Sequence, residues 1–309
     1  MIDVSANDGV VGRIQTIFRF PIKSVGGHTL NETYIDTHGA VGDHRYAFID
    51  IETGHLCNAK NPRKYGSMLA CRARYLDEPQ PGQELPTLEV VFPDGSAHRN
   101  LGNDLDAAMS AYLGRPVRLA DTVPADAATE LVWEATTGLP KAGVYSHTTT
   151  NADGDEVLTY GPLQAHRFFD LTPLHFITTA TIAHLRGLEP GANFNPRRYR
   201  PTMVIDTPAA GLVEDSWLGG RLSIGSDCKA SVDMWTPRCV MSTLAHGKDV
   251  PLDRATLRTI AKHNSKAIPD LGRLACAGVY ANVLATGLVR VGDTVRYEPE
   301  PNPAEENTA

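Results

Sequence analysis

The chain is short of the patterns that mark most enzyme and scaffold classes. It has five cysteines in 309 residues and no Cys-x-x-Cys pair. That excludes a disulfide-stapled domain and a closely spaced run of iron–sulfur ligands. His-Glu-x-x-His, Gly-x-Ser-x-Gly, Gly-x-Gly-x-x-Gly and the Walker A loop are all missing. Nothing therefore points to a zinc hydrolase, a serine nucleophile elbow, a Rossmann dinucleotide site or a phosphate-binding P-loop. Basic residues are outnumbered 29 to 36, for a net charge of −7, the wrong balance for a bulk nucleic-acid binder. No apolar run approaches the ~20 residues of a membrane span. The first eight residues, MIDVSAND, lack the basic and apolar regions of a secretory signal. With unpaired thiols, these absences predict a cytoplasmic protein with no membrane span.

What is present is β-rich. β-branched and aromatic residues predict strands over 10–20, 29–35, 46–51, 88–92 and 116–119. An apolar stripe predicts a helix over 103–113 that stops at Gly114. Residues 121–156 are rich in Thr, Ala, Gly and Asp and predict a long connection, of the kind that covers a site or joins domains. Beyond Leu171 the pattern is mixed. A helix capped by Thr178 or Thr179 ends at Gly187, a strand spans 199–205, and a hairpin turns at Gly225-Ser226-Asp227. A helix over 254–263 capped by Asp253 follows, then strands over 279–285 and 287–297, and a Pro- and Glu-rich tail read as disordered.

Three groups of residues carry candidate chemistry. Cys239 follows Arg238, and a neighbouring guanidinium favours the thiolate that attacks or ligates metal; the commoner fate of a free cysteine is burial as packing. The sequence Phe20-Pro21-Ile22-Lys23-Ser24-Val25-Gly26-Gly27 ends a predicted strand with a cation, a hydroxyl and two glycines, chemistry that suits a phosphate. Gly42-Asp43-His44-Arg45-Tyr46 and Arg197-Arg198-Tyr199-Arg200-Pro201 add guanidiniums at strand starts. Each cluster alone reads better as a solvated turn with surface ion pairs. Together, in an acidic protein, they point to a small anionic ligand.

These segments in this order resemble the MOSC proteins. Phe20 to Ser24, Gly42 to Tyr46 and Asn58-Ala59-Lys60-Asn61-Pro62 resemble the MOSC N-terminal β-barrel domain. Arg198 to Pro201, Glu214 to Trp217, Leu222 to Gly225, Arg238-Cys239, Gly278-Val279-Tyr280 and Val291-Gly292-Asp293 resemble the MOSC domain, named for the C-terminal part of molybdenum-cofactor sulfurase. The resemblance also extends to the mitochondrial amidoxime-reducing component. It implies an α+β, β-rich fold: an N-terminal β-barrel-like domain over 9–122, then a MOSC β-barrel domain with peripheral helices over 126–297, with a tail at 298–309. It further implies a molybdenum cofactor (Mo-molybdopterin), with Cys239 as metal ligand and catalytic residue. Lys23, Ser24, Arg45, Asp170, Thr172, Arg200 and Arg238 would contact the pterin and its phosphate. The implied activity is reduction of an N-hydroxylated or N-oxide-type small molecule, with electrons from a separate flavin, haem or iron–sulfur protein. The alternative is a sulfur carrier, with a persulfide on Cys239, or a cofactor carrier without turnover. Two departures bear on the substrate: Thr202 stands where many members have Asn, and Pro237 where amidoxime reducers often have Ser. Either change alters hydrogen bonds that tune a bound metal.

Overall fold

The computed structural model describes residues 9–125, 128–133, 147–150, 156–160, 167–269 and 271–299. The acidic start at 1–8, much of the predicted connection and residues 300–309 of the predicted tail lie outside the described residues, while Glu298, its first residue, ends a strand. Among the described residues, no helix is long and apolar enough to cross a membrane.

The fold is β-rich and built around a closed barrel of seven strands. These are β1 (Val10–Arg19), β2 (Leu174–Thr178), β3 (Met203–Asp206), β4 (Arg221–Ile224), β5 (Cys228–Pro237), β6 (Gly272–Ala285) and β7 (Thr294–Glu298). Their order around the barrel is β2, β3, β1, β7, β4, β5, β6, with β6 pairing back to β2. Only β2 and β3 run parallel; the two are joined through a helix, as a parallel crossover requires. The first strand of the chain therefore belongs to a barrel whose other strands all follow residue 170, pairing with β3 on one side and β7 on the other.

The two-residue period of the strands explains how both barrel faces are used. Ile17, Phe176, Met203, Ile205, Leu222, Val279 and Val295 pack together inside the barrel, where Trp217 adds its indole. The alternate residues Phe18, Ile177 and Val204 face outward and join Ile182, Leu185, Leu257 and Ile260. Those last four come from α2 (Thr179–Leu188) and α3 (Ala255–His263), with α1 (Asp104–Leu113) preceding them in the chain. A second core is built by residues 22–117, among them Ile22, Val25, Phe48, Tyr65, Met68, Leu88, Val90, Leu105 and Met109. It is framed by Arg72–Tyr75, Leu88–Val91 and Ala97–Arg99 in one sheet and by Ala47–Asp50 against Val117–Ala120 in another.

Several expected elements differ in detail. The helix expected to stop at Gly187 continues to Leu188 and caps at Glu189; Thr178 is its N-cap, its Oγ1 accepting from Thr181 N–H at 3.0 Å and donating to Glu214 Oε2 at 2.6 Å. The strand expected from Tyr199 begins at Met203, because Pro196–Tyr199 is a turn of 3-10 helix that ends on Arg200 in a left-handed conformation. The single strand expected over 29–35 is two, His28–Leu30 and Glu32–Asp36. The chain breaks there because the first pairs with β1 and the second with Gly287–Arg290.

The barrel order predicts that residues 164–309 do not fold alone. Without β1, both β3 and β7 become unpaired edges and Ile14 and Ile17 leave the core. Denaturant unfolding of that fragment should show no cooperative transition; a sigmoidal transition like that of the full chain would contradict the shared strand.

Candidate functional site

A cavity of about 250 Å³ lies where the ends of the barrel strands meet the second core. The start of β2, the residues just before β3, the end of β5 and part of β6 form one side. Segments 23–24, 43–44, 58–60 and 169–173 form the other. Leu131 and Val132 also line it. They sit on a strand, Thr129–Trp133, that is tied down by the Val132 N–H donating to Lys60 O at 3.0 Å. Part of the connection expected over 121–156 thus walls the cavity.

The segment after β1 is fixed tightly. Phe20 N–H donates to Asp43 Oδ1 at 2.6 Å, and Lys23 N–H to Tyr46 O at 2.8 Å. Ser24 holds φ +60° and brings Oγ to accept from Ala59 N–H at 3.1 Å. Arg200 closes the segment from the other side. Its Nη1 donates to Val25 O at 2.6 Å and its Nη2 to Ile22 O at 3.4 Å, while the guanidinium lies 4.1 Å from the centre of the Phe20 ring. Among the described residues, three other than glycine have positive φ: Ser24, His44 and Arg200. All three line this cavity. Left-handed non-glycine residues cost about 1–3 kcal/mol each and persist where the surroundings over-determine them, most often at functional sites.

The lining holds five cationic side chains, Lys23, Lys60, Arg198, Arg200 and Arg238, against the carboxylates of Asp43 and Asp170. Asp170 bridges two of them, accepting from Lys23 Nζ at 2.7 Å and pairing with Lys60 Nζ at 2.9 Å. Burial opposes its ionisation, but the two ammonium groups win and hold it far below the usual carboxylate range. Burial pulls Lys23 down against the pull of Asp170, and pushes Arg200 down to about 10. Arg200 remains charged near neutral pH. Arg198 spends its donors on Asn193 O, Leu244 O and Pro251 O, so it holds the loop after Cys239 in place. Arg238 donates to Tyr199 O at 2.9 Å and to His175 Nε2 at 2.7 Å. His175 is held well below its usual pKa by burial and then by Arg238, which fits a neutral ring that accepts. Gly278 is required opposite it. Its φ is +83°, and a Cβ there would meet Phe176 O at 2.5 Å and His175 Nε2 at 2.6 Å.

Cys239 lines the cavity and packs beside Ala59, Leu69, Met241 and Leu244. It is half-buried, whereas Cys57, Cys71, Cys228 and Cys276 are fully buried. Burial pushes the thiols of Cys71, Cys228 and Cys276 up to about 12. Among the described residues there is no group of three or more His, Cys, Asp or Glu side chains able to hold a metal. A metal at Cys239 would need its remaining ligands from outside the chain. Three buried polar atoms on lining residues have no hydrogen-bond partner: Asn58 Nδ2, Tyr199 Oη and Arg238 Nε. Unpaired buried groups are uncommon; here three belong to residues that line the cavity holding the cations and the thiol. This donor set fits an anionic cofactor that brings sulfur ligands of its own.

The structure thus gathers Lys23, Ser24, Asp170, Thr172, Arg200, Arg238 and Cys239. It does not bring Arg45 with them. Arg45 lines a separate polar cleft beside Asp36 and Arg167. His44 stands in the cavity instead, with Asn58, Lys60, His175 and Tyr280, none of which the sequence reading assigned. The signal was present for Asn58 and Lys60, which lie in the Asn-Ala-Lys-Asn-Pro motif. Thr202, the departure from Asn, caps the turn. Its Oγ1 accepts from His175 N–H at 3.1 Å.

The MOSC N-terminal beta barrel domain family matches residues 11–94 and the MOSC domain family matches residues 164–296. MOSC domains are associated with molybdenum-cofactor binding or sulfur-related function. Among solved structures, the YUAD protein from Bacillus subtilis aligns over 93% of this chain and 95% of its own, at 8% identity and a TM-score of 0.40. YiiM from Geobacillus stearothermophilus aligns over 53% of this chain and 78% of its own, at 15% identity and a TM-score of 0.30. No curated protein matches the chain.

Two half-buried histidines, His28 and His44, and two buried ones, His175 and His246, set a pH dependence. His28, His44, His175 and His246 are each held below 6.5, in each case first by burial, His246 down to about 4. Unfolding releases all four to ordinary values, so the unfolded chain binds protons that the folded chain refuses. Their stability contribution is whole above about pH 6.5 and is lost as the pH falls through that value. Urea unfolding at about pH 8, about 6.5 and about 5 should show the unfolding free energy dropping most between about pH 6.5 and about 5. A flat profile would contradict the burial of these rings.

Proposed function

We propose that this chain, which belongs to the MOSC domain proteins, is a molybdenum-cofactor-dependent oxidoreductase that reduces N-hydroxylated or N-oxide-type small molecules. The observation that carries the reading is a convergence. The cysteine that is not fully buried, the cation cluster and three unpartnered buried polar atoms meet in one cavity. Each component matches one end of a phosphorylated, sulfur-bearing cofactor.

Bound there, the cofactor supplies the two-electron redox chemistry that removes oxygen from an N–O bond. The chain contributes the surroundings. Cys239 would provide the protein's thiolate ligand, since a thiolate donates strongly to a metal that brings other sulfur ligands. Lys23 and Arg200 hold the phosphate by charge-assisted hydrogen bonds, and Asn58 Nδ2 offers a further donor. Arg238 Nε has an N–H to give and, with its other nitrogens on Tyr199 O and His175 Nε2, a fixed direction in which to give it. Leu131, Val132, Val240, Met241 and Leu274 line the cavity with apolar surface, which excludes water and suits an uncharged substrate body. Burial pushes the Tyr280 hydroxyl up to about 12, so Oη keeps its proton near neutral pH and is available to donate. Converting N–OH to N–H and water consumes two electrons and two protons. A separate flavin, haem or iron–sulfur protein delivers the electrons, and the protein acts in the cytoplasm. The proposed division of the chain is a MOSC N-terminal β-barrel domain over 9–122 and a MOSC domain over 126–297.

Expression in a host that makes molybdopterin tests the reading. Wild-type protein should carry molybdenum, and Cys239→Ala should lose most of it on desalting. Chemically reduced wild type should turn over a benzamidoxime-like substrate. Metal-free wild type contradicts the enzyme reading. A persulfide on Cys239, seen by intact-mass analysis, would favour the sulfur carrier, and metal without turnover would favour a cofactor carrier. Lys23→Glu should lower molybdenum retention by about tenfold or more, because it places a carboxylate against the phosphate. Unchanged retention would put the phosphate elsewhere.

A further inference from the structure

We infer that His44, not Arg45, completes the anion seat with Lys23 and Arg200, and that an anion entering the seat brings a proton onto His44 Nε2. This rests on reading the cavity as the seat of a phosphate-bearing ligand, and it concerns the anion alone.

The backbone separates the two neighbouring residues. His44 holds φ +45° and lines the cavity, whereas Arg45 lines the other cleft. The imidazole is then fixed on every side. Its Nδ1 lies 3.0 Å from Asp43 Oδ2, and its ring packs on Phe169 with centroids 4.7 Å apart and near Phe20 at 6.2 Å. A carboxylate can only accept, so Nδ1 carries the hydrogen and the lone pair of a neutral ring sits on Nε2. That lone pair faces Arg200 Nη2 at 3.4 Å, a nitrogen that can only donate. Without an anion, His44 Nε2 is an acceptor for Arg200.

A second proton on the ring is opposed by burial and by both neighbouring cations, Arg200 and Lys23, and favoured by Asp43. The other charged groups packed around it are Asp170, which pairs with Lys23, and Arg167, whose Nη1 donates to Asp43 O at 3.3 Å. An oxyanion placed among Lys23, Arg200 and the unpartnered Asn58 Nδ2 reverses this balance. It offsets both cations, turns Arg200 toward itself, and gives a protonated Nε2–H an acceptor. Histidine here therefore makes a conditional third cation. Binding and protonation are linked, so each must favour the other by the same factor.

Sulfate is the probe, because it remains a dianion across the range in which histidine titrates. Calorimetric titration of the purified full-length chain, in two buffers of different ionisation enthalpy, should show uptake of up to one proton per sulfate. Affinity should rise by up to about tenfold per pH unit as pH falls from about 8 to about 6. His44→Asn, which tolerates the left-handed backbone, should bind more weakly and without pH dependence. Arg45→Gln should match wild type in both respects. Wild-type binding without proton uptake, no binding, or weakening by Arg45→Gln in place of His44→Asn would overturn the inference. The wild-type measurement needs no variant to fold. Protein from a molybdopterin-making host that carries no metal yet binds sulfate with proton uptake would defeat the cofactor reading and leave this one standing; protein that carries the metal but, once stripped of its cofactor, shows no proton-linked sulfate binding would do the reverse.

Discussion

The site depends on one half-buried guanidinium. Arg200 leaves a turn of 3-10 helix in a left-handed conformation, stacks on Phe20, and donates to the carbonyls of Val25 and Ile22. Those carbonyls belong to the segment that leaves β1 and enters the second core. The interaction therefore fixes the chain where the two cores meet, and it presents Lys23 and Ser24 to the cavity. Hydrogen bonds to charged groups contribute about 1.5–3 kcal/mol, and a desolvated cation–π contact about 2. Such a contribution is enough to hold the positive backbone angles of Ser24 and Arg200.

The rest of the electrostatics follows from packing so many cations into a small volume. Two carboxylates prevent mutual repulsion from opening the site: Asp43 beneath His44, and Asp170 between Lys23 and Lys60. They leave the lining with a surplus of positive charge in a protein whose overall charge is −7. The thiol of Cys239 stands on the same wall, in a loop held by Arg198, which reaches four backbone carbonyls through a buried side chain. Charge that is diffuse in the sequence is thus concentrated by the fold at the one place where a cysteine is not fully buried.

Much of this was legible in the sequence, and the exceptions have physical reasons. The strands over 10–19 and 88–91 and the helix over 104–113, closed by Gly114 at φ +66°, follow from side-chain type and turn chemistry. Local pattern could not show that β1 joins a barrel made otherwise of residues beyond 170, because strand partners are chosen by long-range burial. Lys23, Arg200 and Cys239 were found as motifs. Arg45 was assigned through the resemblance, whereas the fold lines the cavity with its neighbour His44, held at φ +45°, and turns Arg45 to another cleft. Asn58, Lys60 and Tyr280 stand in motifs that were read but given no role, which burial, a missing partner or a shared carboxylate supplies; His175 stands in none and becomes informative only through its contact with Arg238.

The central claim is that one cavity seats a molybdenum-bearing phosphopterin with Cys239 at its metal end. Anomalous diffraction at the molybdenum edge, on crystals of protein expressed with the cofactor, tests it most directly. The account predicts a single strong peak within bonding distance of Cys239 Sγ, and ordered phosphate density reaching Lys23 and Arg200. A peak elsewhere in the molecule, or loaded protein whose molybdenum lies away from Cys239, would contradict it.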